Sequence, residues 1–293
     1  MKVIRASVLG YCMGVKRAVE SAEQALLHAG AGTTVYTLGP LIHNPSVLNS
    51  LAERGLRILK VEESSSLCKD DVVVIRAHGT TPQIEKTLEK SGACVVDATC
   101  PRVHGSQKRA ALWSSRGYTV IIAGDKNHGE VTSIAGYAEG NCIVVQSVKE
   151  AEAVILPQKA VLLAQTTFSP VEFEKISSLL KKKNPSIEVF NTICNATLDR
   201  QNALLSLEPT DGILVIGGKN SANTRRLYET ACTLCGHVAL IESESEIPDE
   251  FFALGTVALT AGASTPDSII DAVERTLLQG KVSPPSFAGK SPQ

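Results

Sequence analysis

Long runs of any one character are missing from this chain. Apart from Lys181, Lys182 and Lys183 it has no block of like charges, and 29 basic against 30 acidic residues leave a net charge of −1. Binding to nucleic acid or to a charged membrane surface is therefore not expected. No apolar run approaches the roughly 18 residues that span a bilayer, and residues 1–9 lack the long apolar core of a signal peptide. No GxGxxG follows a strand, and Gly289-Lys290-Ser291 lacks the upstream glycine of a P-loop. The expectation is a cytoplasmic protein with a 43% hydrophobic composition and an ample core. Its eight cysteines then stay reduced and serve metal binding or catalysis, not a disulfide framework.

What is present is a threefold recurrence. Cys100, in Asp97-Ala98-Thr99-Cys100-Pro101, sits between an apolar β-branched stretch and helix-favouring sequence, as a strand-to-helix turn would. Cys12 follows the apolar stretch 3–9, and Cys194 follows 187–193, in the same way. Each cysteine is followed at nearly constant distance by a Ser or Thr directly before proline: Pro82 lies 70 residues after Cys12, Pro170 lies 70 after Cys100, and Pro266 lies 72 after Cys194. A hydroxyl before proline reads as an N-cap with proline at the first helical position. Between cysteine and proline each third carries a polar turn opened by glycine: Gly39-Pro40-Leu41-Ile42-His43-Asn44, Gly124-Asp125-Lys126-Asn127-His128-Gly129-Glu130 and Gly217-Gly218-Lys219-Asn220-Ser221-Ala222-Asn223.

The intervening apolar runs, such as 72–75, 121–123, 143–145 and 213–216, are continuous, which indicates parallel strands covered on both faces. Val15, Val19, Ala22 and Leu26 show helical spacing between strands. The expected fold is an α/β trefoil of three quasi-equivalent lobes with mainly parallel sheets: residues 13–96, 97–190, and 1–12 with 191–281, followed by a disordered tail, 282–293. Lobes this small bury little core alone and should pack as one unit. Ligands gather beyond the carboxyl ends of parallel strands, where all nine landmarks fall. Three thiolates meeting there suit zinc with a fourth ligand or a cubane iron–sulfur cluster with one open iron.

The motifs resemble those of the 4-hydroxy-3-methylbut-2-enyl diphosphate reductases, the IspH/LytB family. The resemblance runs from Gly10-Tyr11-Cys12-Met13-Gly14-Val15 through Arg76-Ala77-His78-Gly79, Gln165-Thr166-Thr167 and Cys194-Asn195-Ala196-Thr197 to Thr260-Ala261-Gly262-Ala263-Ser264. It implies a trefoil around one [4Fe-4S] cluster held by Cys12, Cys100 and Cys194, with the open iron facing the substrate hydroxyl. It further implies that His43, His78, His128, Ser221, Asn223 and Ser264 bind a diphosphate, that Glu130 supplies protons, and that Thr166 bonds the hydroxyl. The implied reaction is a two-electron, two-proton removal of an allylic hydroxyl to give isopentenyl and dimethylallyl diphosphates. With no nucleotide motif in the chain, electrons are expected from an external donor such as flavodoxin or ferredoxin. Two positions depart from the family pattern: Gly129 stands where proline is usual and Ala222 where serine is usual. The first is expected to loosen the turn carrying the acid, the second to remove one hydroxyl from the phosphate pocket.

Plainer roles compete at several residues. A lone cysteine is more often a small packing residue, and Cys68, Cys94 and Cys142 are expected to be that. Cys232 and Cys235 form a C-x-x-C within a helical stretch with no second pair, so a structural role is favoured. His28 and His104 read as surface histidines. Arg76 and Lys219 adjoin the motifs but equally fit simple pairing with carboxylates. A hydro-lyase using the same open iron, or a non-catalytic iron–sulfur sensor or carrier, are the competing functions.

Overall fold

The computed structural model describes residues 1–280, so the expected tail, 282–293, lies outside the described residues. Among them twelve strands, numbered in chain order, form three four-stranded sheets in which every pairing is parallel. The first runs β3 (Arg57–Leu59), β2 (Val35–Leu38), β4 (Val72–Ile75), β5 (Cys94–Asp97). The second runs β7 (Cys142–Val145), β6 (Thr119–Ala123), β8 (Ala160–Ala164), β9 (Glu188–Val189). The third runs β11 (Val238–Ile241), β10 (Gly212–Ile216), β12 (Thr256–Ala261) and closes with β1 (Lys2–Arg5). The order is the same each time, and the chain's first strand fills the place taken by β5 and β9 in the other two.

Ten α-helices lie among the described residues: α1 (Met13–His28), α2 (Pro45–Glu53), α3 (Pro82–Ser91), α4 (Pro101–Ser115), α5 (Gly129–Gly136), α6 (Val148–Ala153), α7 (Pro170–Lys183), α8 (Asn195–Leu205), α9 (Ala222–Leu234) and α10 (Asp267–Gln279). Parallel strands need such crossovers, and the helices leave each sheet covered on both faces. β8 and β10 are buried at every residue. Ile143 and Val144, by contrast, are only half-buried, because β7 is an edge strand. In the second lobe one core joins Ile121 and Leu162 to Phe173, Ile176 and Leu180 of α7, and another joins Ile122 and Leu163 to Ala110 of α4 and Ile134 of α5.

The local sequence explains the helix starts. Asn44, Thr81 and Ser169 each accept a bond from the backbone N–H three residues on, just before Pro45, Pro82 and Pro170. The third repeat differs: Thr265 does not cap α10, and its hydroxyl donates instead to the Ile216 carbonyl at 2.9 Å. Lys181, Lys182 and Lys183 end α7, where cations suit the helix dipole. No described helix is long and apolar enough to cross a membrane.

Each cysteine lies where the chain passes from one lobe to the next. Cys12 follows β1 of the third sheet and starts α1, which packs on β2 and β4 of the first. Cys100 follows β5 of the first sheet and starts α4, which packs on β6 of the second. Cys194 comes after β9 of the second sheet and starts α8, which packs on α9 of the third lobe. The three joints are bonded alike: the N–H groups of Cys12, Cys100 and Cys194 donate to the carbonyls of Ala263, Ala77 and Thr166 at 3.1, 3.0 and 2.8 Å. The three glycine turns match as well, Gly39, Gly124 and Gly217 donating to Leu59, Val145 and Ile241 at the ends of their edge strands.

Candidate functional site

All eleven residues singled out from the sequence line one pocket where the lobes meet: Cys12, His43, His78, Cys100, His128, Glu130, Thr166, Cys194, Ser221, Asn223 and Ser264. The three thiols are the N-cap residues of α1, α4 and α8, so unpaired helix N–H groups and dipole ends converge on them. Cys12 Sγ accepts from Val15 N–H at 3.5 Å. Burial, together with the neighbouring Cys12 and Cys194, pushes the Cys100 thiol up, against the pull of the Arg102 and Val103 N–H groups. The backbone of α1 comes so close that a Cβ on Gly14 would stand 2.6 Å from Cys100 Sγ.

His43, His78 and His128 form a compact ring system, with centroids 5.2 Å apart for His43–His78, 4.7 Å for His78–His128 and 5.9 Å for His43–His128. One nitrogen from each lies within 4.8 Å of the others, a spacing that also admits a metal ion. The surrounding charge argues for an anion instead. Burial first, then the field of Arg76, then that of Arg225, lowers the His43 pKa. Burial likewise lowers His128 to about 4 and His78 well below its ordinary value, with the neighbouring imidazoles and Arg76 adding to it. The positive field of Arg76 and Arg225 disfavours a dication beside these imidazoles and favours an acceptor-rich anion that their N–H groups can bond. Two buried nitrogens of pocket residues, His78 Nδ1 and Asn223 Nδ2, have no hydrogen-bond partner among the described residues and are free to bond a ligand. Ser221 caps α9 by accepting from Thr224 N–H at 3.3 Å, and Ser264 donates to the His43 carbonyl at 3.1 Å.

Glu130 is 1% exposed, in the first turn of α5. Its Oε1 accepts from Thr166 N–H at 2.6 Å and its Oε2 pairs with Thr166 Oγ1 at 2.7 Å. Burial pushes its pKa up to about 7, against those two bonds and the Arg226 guanidinium, which oppose the rise. The acid therefore holds its proton up to neutrality and can pass it through the Thr166 hydroxyl. Gly129 does not leave this acid loose: it is the first residue of α5, and both carboxyl oxygens are engaged.

The remaining expectations divide. Lys219 pairs with Glu246 at 2.8 Å at the surface, whereas the Arg76 guanidinium makes no ion pair or hydrogen bond among the described residues. Cys68 and Cys94 are exposed, not packed, and Cys142 is half-buried. Cys232 sits in α9 and Cys235 caps it, away from the pocket. His28 is exposed, and His104 pairs with Asp97 at 2.9 Å.

A family model, LytB protein, matches residues 3–278. The chain belongs to the LytB family. Among curated LytB relatives, 4-hydroxy-3-methylbut-2-enyl diphosphate reductase of Treponema denticola is 52% identical over 290 residues, 96% of this chain and 100% of that one. The protein of the same name from Caldanaerobacter subterraneus is 40% identical over 93% of this chain and 95% of its own. Two solved structures share the fold. One, of (E)-4-hydroxy-3-methyl-but-2-enyl diphosphate reductase, described as the terminal enzyme of the non-mevalonate pathway, matches 95% of this chain and 99% of its own at a TM-score of 0.71 and 38% identity. The other, a Plasmodium falciparum E-1-hydroxy-2-methyl-but-2-enyl-4-diphosphate reductase, covers 98% and 89% at a TM-score of 0.86 and 26% identity.

Within this LytB site some lining residues belong to the motifs or adjoin them without being marked as site residues. Val15, Val103 and Thr197 each stand three positions after a cysteine and each line the pocket. Laying the three repeats over one another would have found them, because the first turn of every cysteine-capped helix faces the axis. Arg200 is 3% exposed and donates to the Gly10 carbonyl at 2.5 Å and the Ala196 carbonyl at 2.7 Å, tying α8 to the segment that carries Cys12. Nothing in the local sequence marks it, since its partner lies 190 positions away.

Proposed function

We propose that this protein is an oxidoreductase that reductively removes the allylic hydroxyl of 4-hydroxy-3-methylbut-2-enyl diphosphate in isoprenoid supply, using one [4Fe-4S] cluster on Cys12, Cys100 and Cys194. The observation that carries this is the lining of a single pocket by three thiols, three neutral imidazoles and a buried carboxyl paired to a threonine. The residues fit the cluster. Three soft sulfur donors arrive at helix N-termini, and the glycine at position 14 leaves the Cys100 thiol its room. Bound there, a cluster would relay the donor's electrons one at a time and offer a Lewis-acidic iron.

The chain's own residues do the rest. His43, His78, His128, Ser221, Asn223 and Ser264 offer donors to the diphosphate, and the unpartnered Asn223 Nδ2 and His78 Nδ1 gain partners when it binds. Thr166 Oγ1, bonded to Glu130, orients the substrate hydroxyl. The balance is an alcohol plus two electrons and two protons giving an alkene and water. One proton leaves with the hydroxyl and the other reaches one or the other end of the allyl unit, which accounts for isopentenyl and dimethylallyl diphosphate as the two products. Glu130 delivers the protons one at a time through the Thr166 hydroxyl, which gains and loses one in each relay, and solvent recharges the acid between them. Electrons come from an external donor of the flavodoxin or ferredoxin type.

Anaerobic purification with iron and sulfide analysis, then product analysis with and without reductant, tests the reading. Four irons per chain and reductant-dependent formation of the two diphosphates are expected, as an order-of-magnitude stoichiometry for a cubane cluster. Zinc in place of iron, or a dehydrated product formed without reductant, would overturn it. The Ala222 departure has its own consequence. Ala222 is buried and lines the pocket, so Ala222→Ser restores a hydroxyl donor and should lower KM by an amount worth roughly 0.5–1.5 kcal/mol, with kcat unchanged, as steady-state kinetics would record.

A further inference from the structure

Arg76 follows β4 directly and is part-buried, yet it has no carboxylate partner among the described residues. Of the two acids that line the same cavity, Asp125 is held by Arg226 at 3.1 Å, and Glu62 is exposed and makes no ion pair with Arg76. A part-buried guanidinium without a counter-ion is costly unless a bound anion supplies one. Arg76 lies outside the central pocket, in a neighbouring cavity of about 840 Å³ that shares His43 and His128 with it. Its head sits between two glycines. A Cβ on Gly39 would come within 3.2 Å of Nη1, and a Cβ on Gly129 would overlap Nη2 and stand 2.8 Å from Cζ. Gly129 is the position where the family usually carries proline, whose Cβ would occupy this seat. Position 129 thus accommodates a cation next to His128.

We propose that Arg76, seated between Gly39 and Gly129, is the positioning cation for the diphosphate end of the substrate, acting on it past His43 and His128. This rests on the reading of the histidine ring as the diphosphate site. Three imidazoles in ring contact cannot all carry charge, since each protonation opposes the next. The ring therefore supplies hydrogen bonds but little charge, while a diphosphate brings several negative charges that need a positive field. Arg76 provides that field permanently, since a guanidinium stays protonated. Arg225 lines the mouth of the same cavity but is exposed, so solvent screens it more strongly.

Calorimetric titration of the holoenzyme with inorganic diphosphate tests this, with Arg76→Gln, Arg76→Lys, Gly129→Ala, the Arg76→Gln/Gly129→Ala pair and His43→Ala. Arg76→Gln, which keeps a planar polar head without charge, should weaken diphosphate roughly tenfold and flatten its salt dependence. Arg76→Lys should recover part of the loss. Gly129→Ala, which displaces the guanidinium, should weaken binding in the same direction, and the double variant should be no weaker than Arg76→Gln alone. In turnover, KM should rise with kcat held, a split that misfolding does not produce. Binding by Arg76→Gln within about twofold of the wild type, or additive losses in the double variant, would overturn the role of Arg76. If the wild type also fails to bind diphosphate, the reading of the histidine ring falls and this inference with it. If the wild type binds, His43→Ala does not and Arg76→Gln binds normally, only the inference about Arg76 falls.

Discussion

Glu130→Gln should retain the visible absorption of a loaded cluster and lose turnover by roughly a hundredfold or more, the usual contribution of a positioned proton donor. The glutamine keeps the shape and can still accept from Thr166 N–H, the 2.6 Å bond that fixes the acid, so binding should survive. For the wild type, kcat should fall as pH rises through about 7, because only the protonated acid donates and burial holds its pKa there. The same burial affects stability with a definite sign. Below its ordinary value of 4.5 both the folded and the unfolded chain carry the proton, and Glu130 has no effect on the balance. Between 4.5 and about 7 the unfolded chain releases the proton while the folded chain keeps it, so stability falls with rising pH across that window. Glu130→Gln removes this loss. Thermal melting should show the variant more stable than the wild type at about pH 8 and indistinguishable from it at about pH 4. Undiminished turnover, or a melting difference with the opposite pH trend, would remove Glu130 from the role assigned to it.

Cys100→Ser should lose iron and sulfide almost completely, and with them turnover. The thiol is one of only three sulfurs lining the pocket, and a hydroxyl is a poor ligand for an iron–sulfur cube. Gly14→Ala is the more discriminating variant, since it leaves all three sulfurs in place. Its added Cβ would meet Cys100 Sγ at 2.6 Å and Cys100 Cβ at 3.0 Å. Helix α1 cannot retreat freely, because Ala18 and Ala22 on its inner face are fully buried against the first sheet. Overpacking of this kind costs about 1–3 kcal/mol, and here it bears directly on a ligand. Iron per chain should fall well below the wild type while the melting temperature drops by only a few degrees. Full iron content in Gly14→Ala would show that the approach of α1 to Cys100 has no bearing on the metal site.

Much of the site is legible in the chain because strand-end loops carry it. A cysteine, a glycine-led polar turn and a hydroxyl–proline pair recur at nearly the same distances, and in parallel sheets all such loops fall on one side. Thr265 shows where that reasoning stops: its sequence matches Thr81 and Ser169, yet it bonds to the Ile216 carbonyl and does not cap its helix. Gly129 is a second case. Read locally, a glycine in place of proline loosens a turn; in the fold it opens a helix whose acid is doubly bonded and leaves room for a guanidinium. Cys94 is a third, its apolar neighbours implying a packed residue where an exposed edge strand stands.

By itself the sequence determined the period of the repeat, the parallel strands and the residues that stand at their carboxyl ends, because each of these depends on neighbours within a few positions. Only the tertiary structure decided that Lys219 is paired while the Arg76 guanidinium has no partner among the described residues, and that burial raises the Glu130 pKa to about 7. Those outcomes rest on desolvation and on charges brought together from distant parts of the chain, and no local pattern records how much water a group has lost or which counter-ion has arrived beside it.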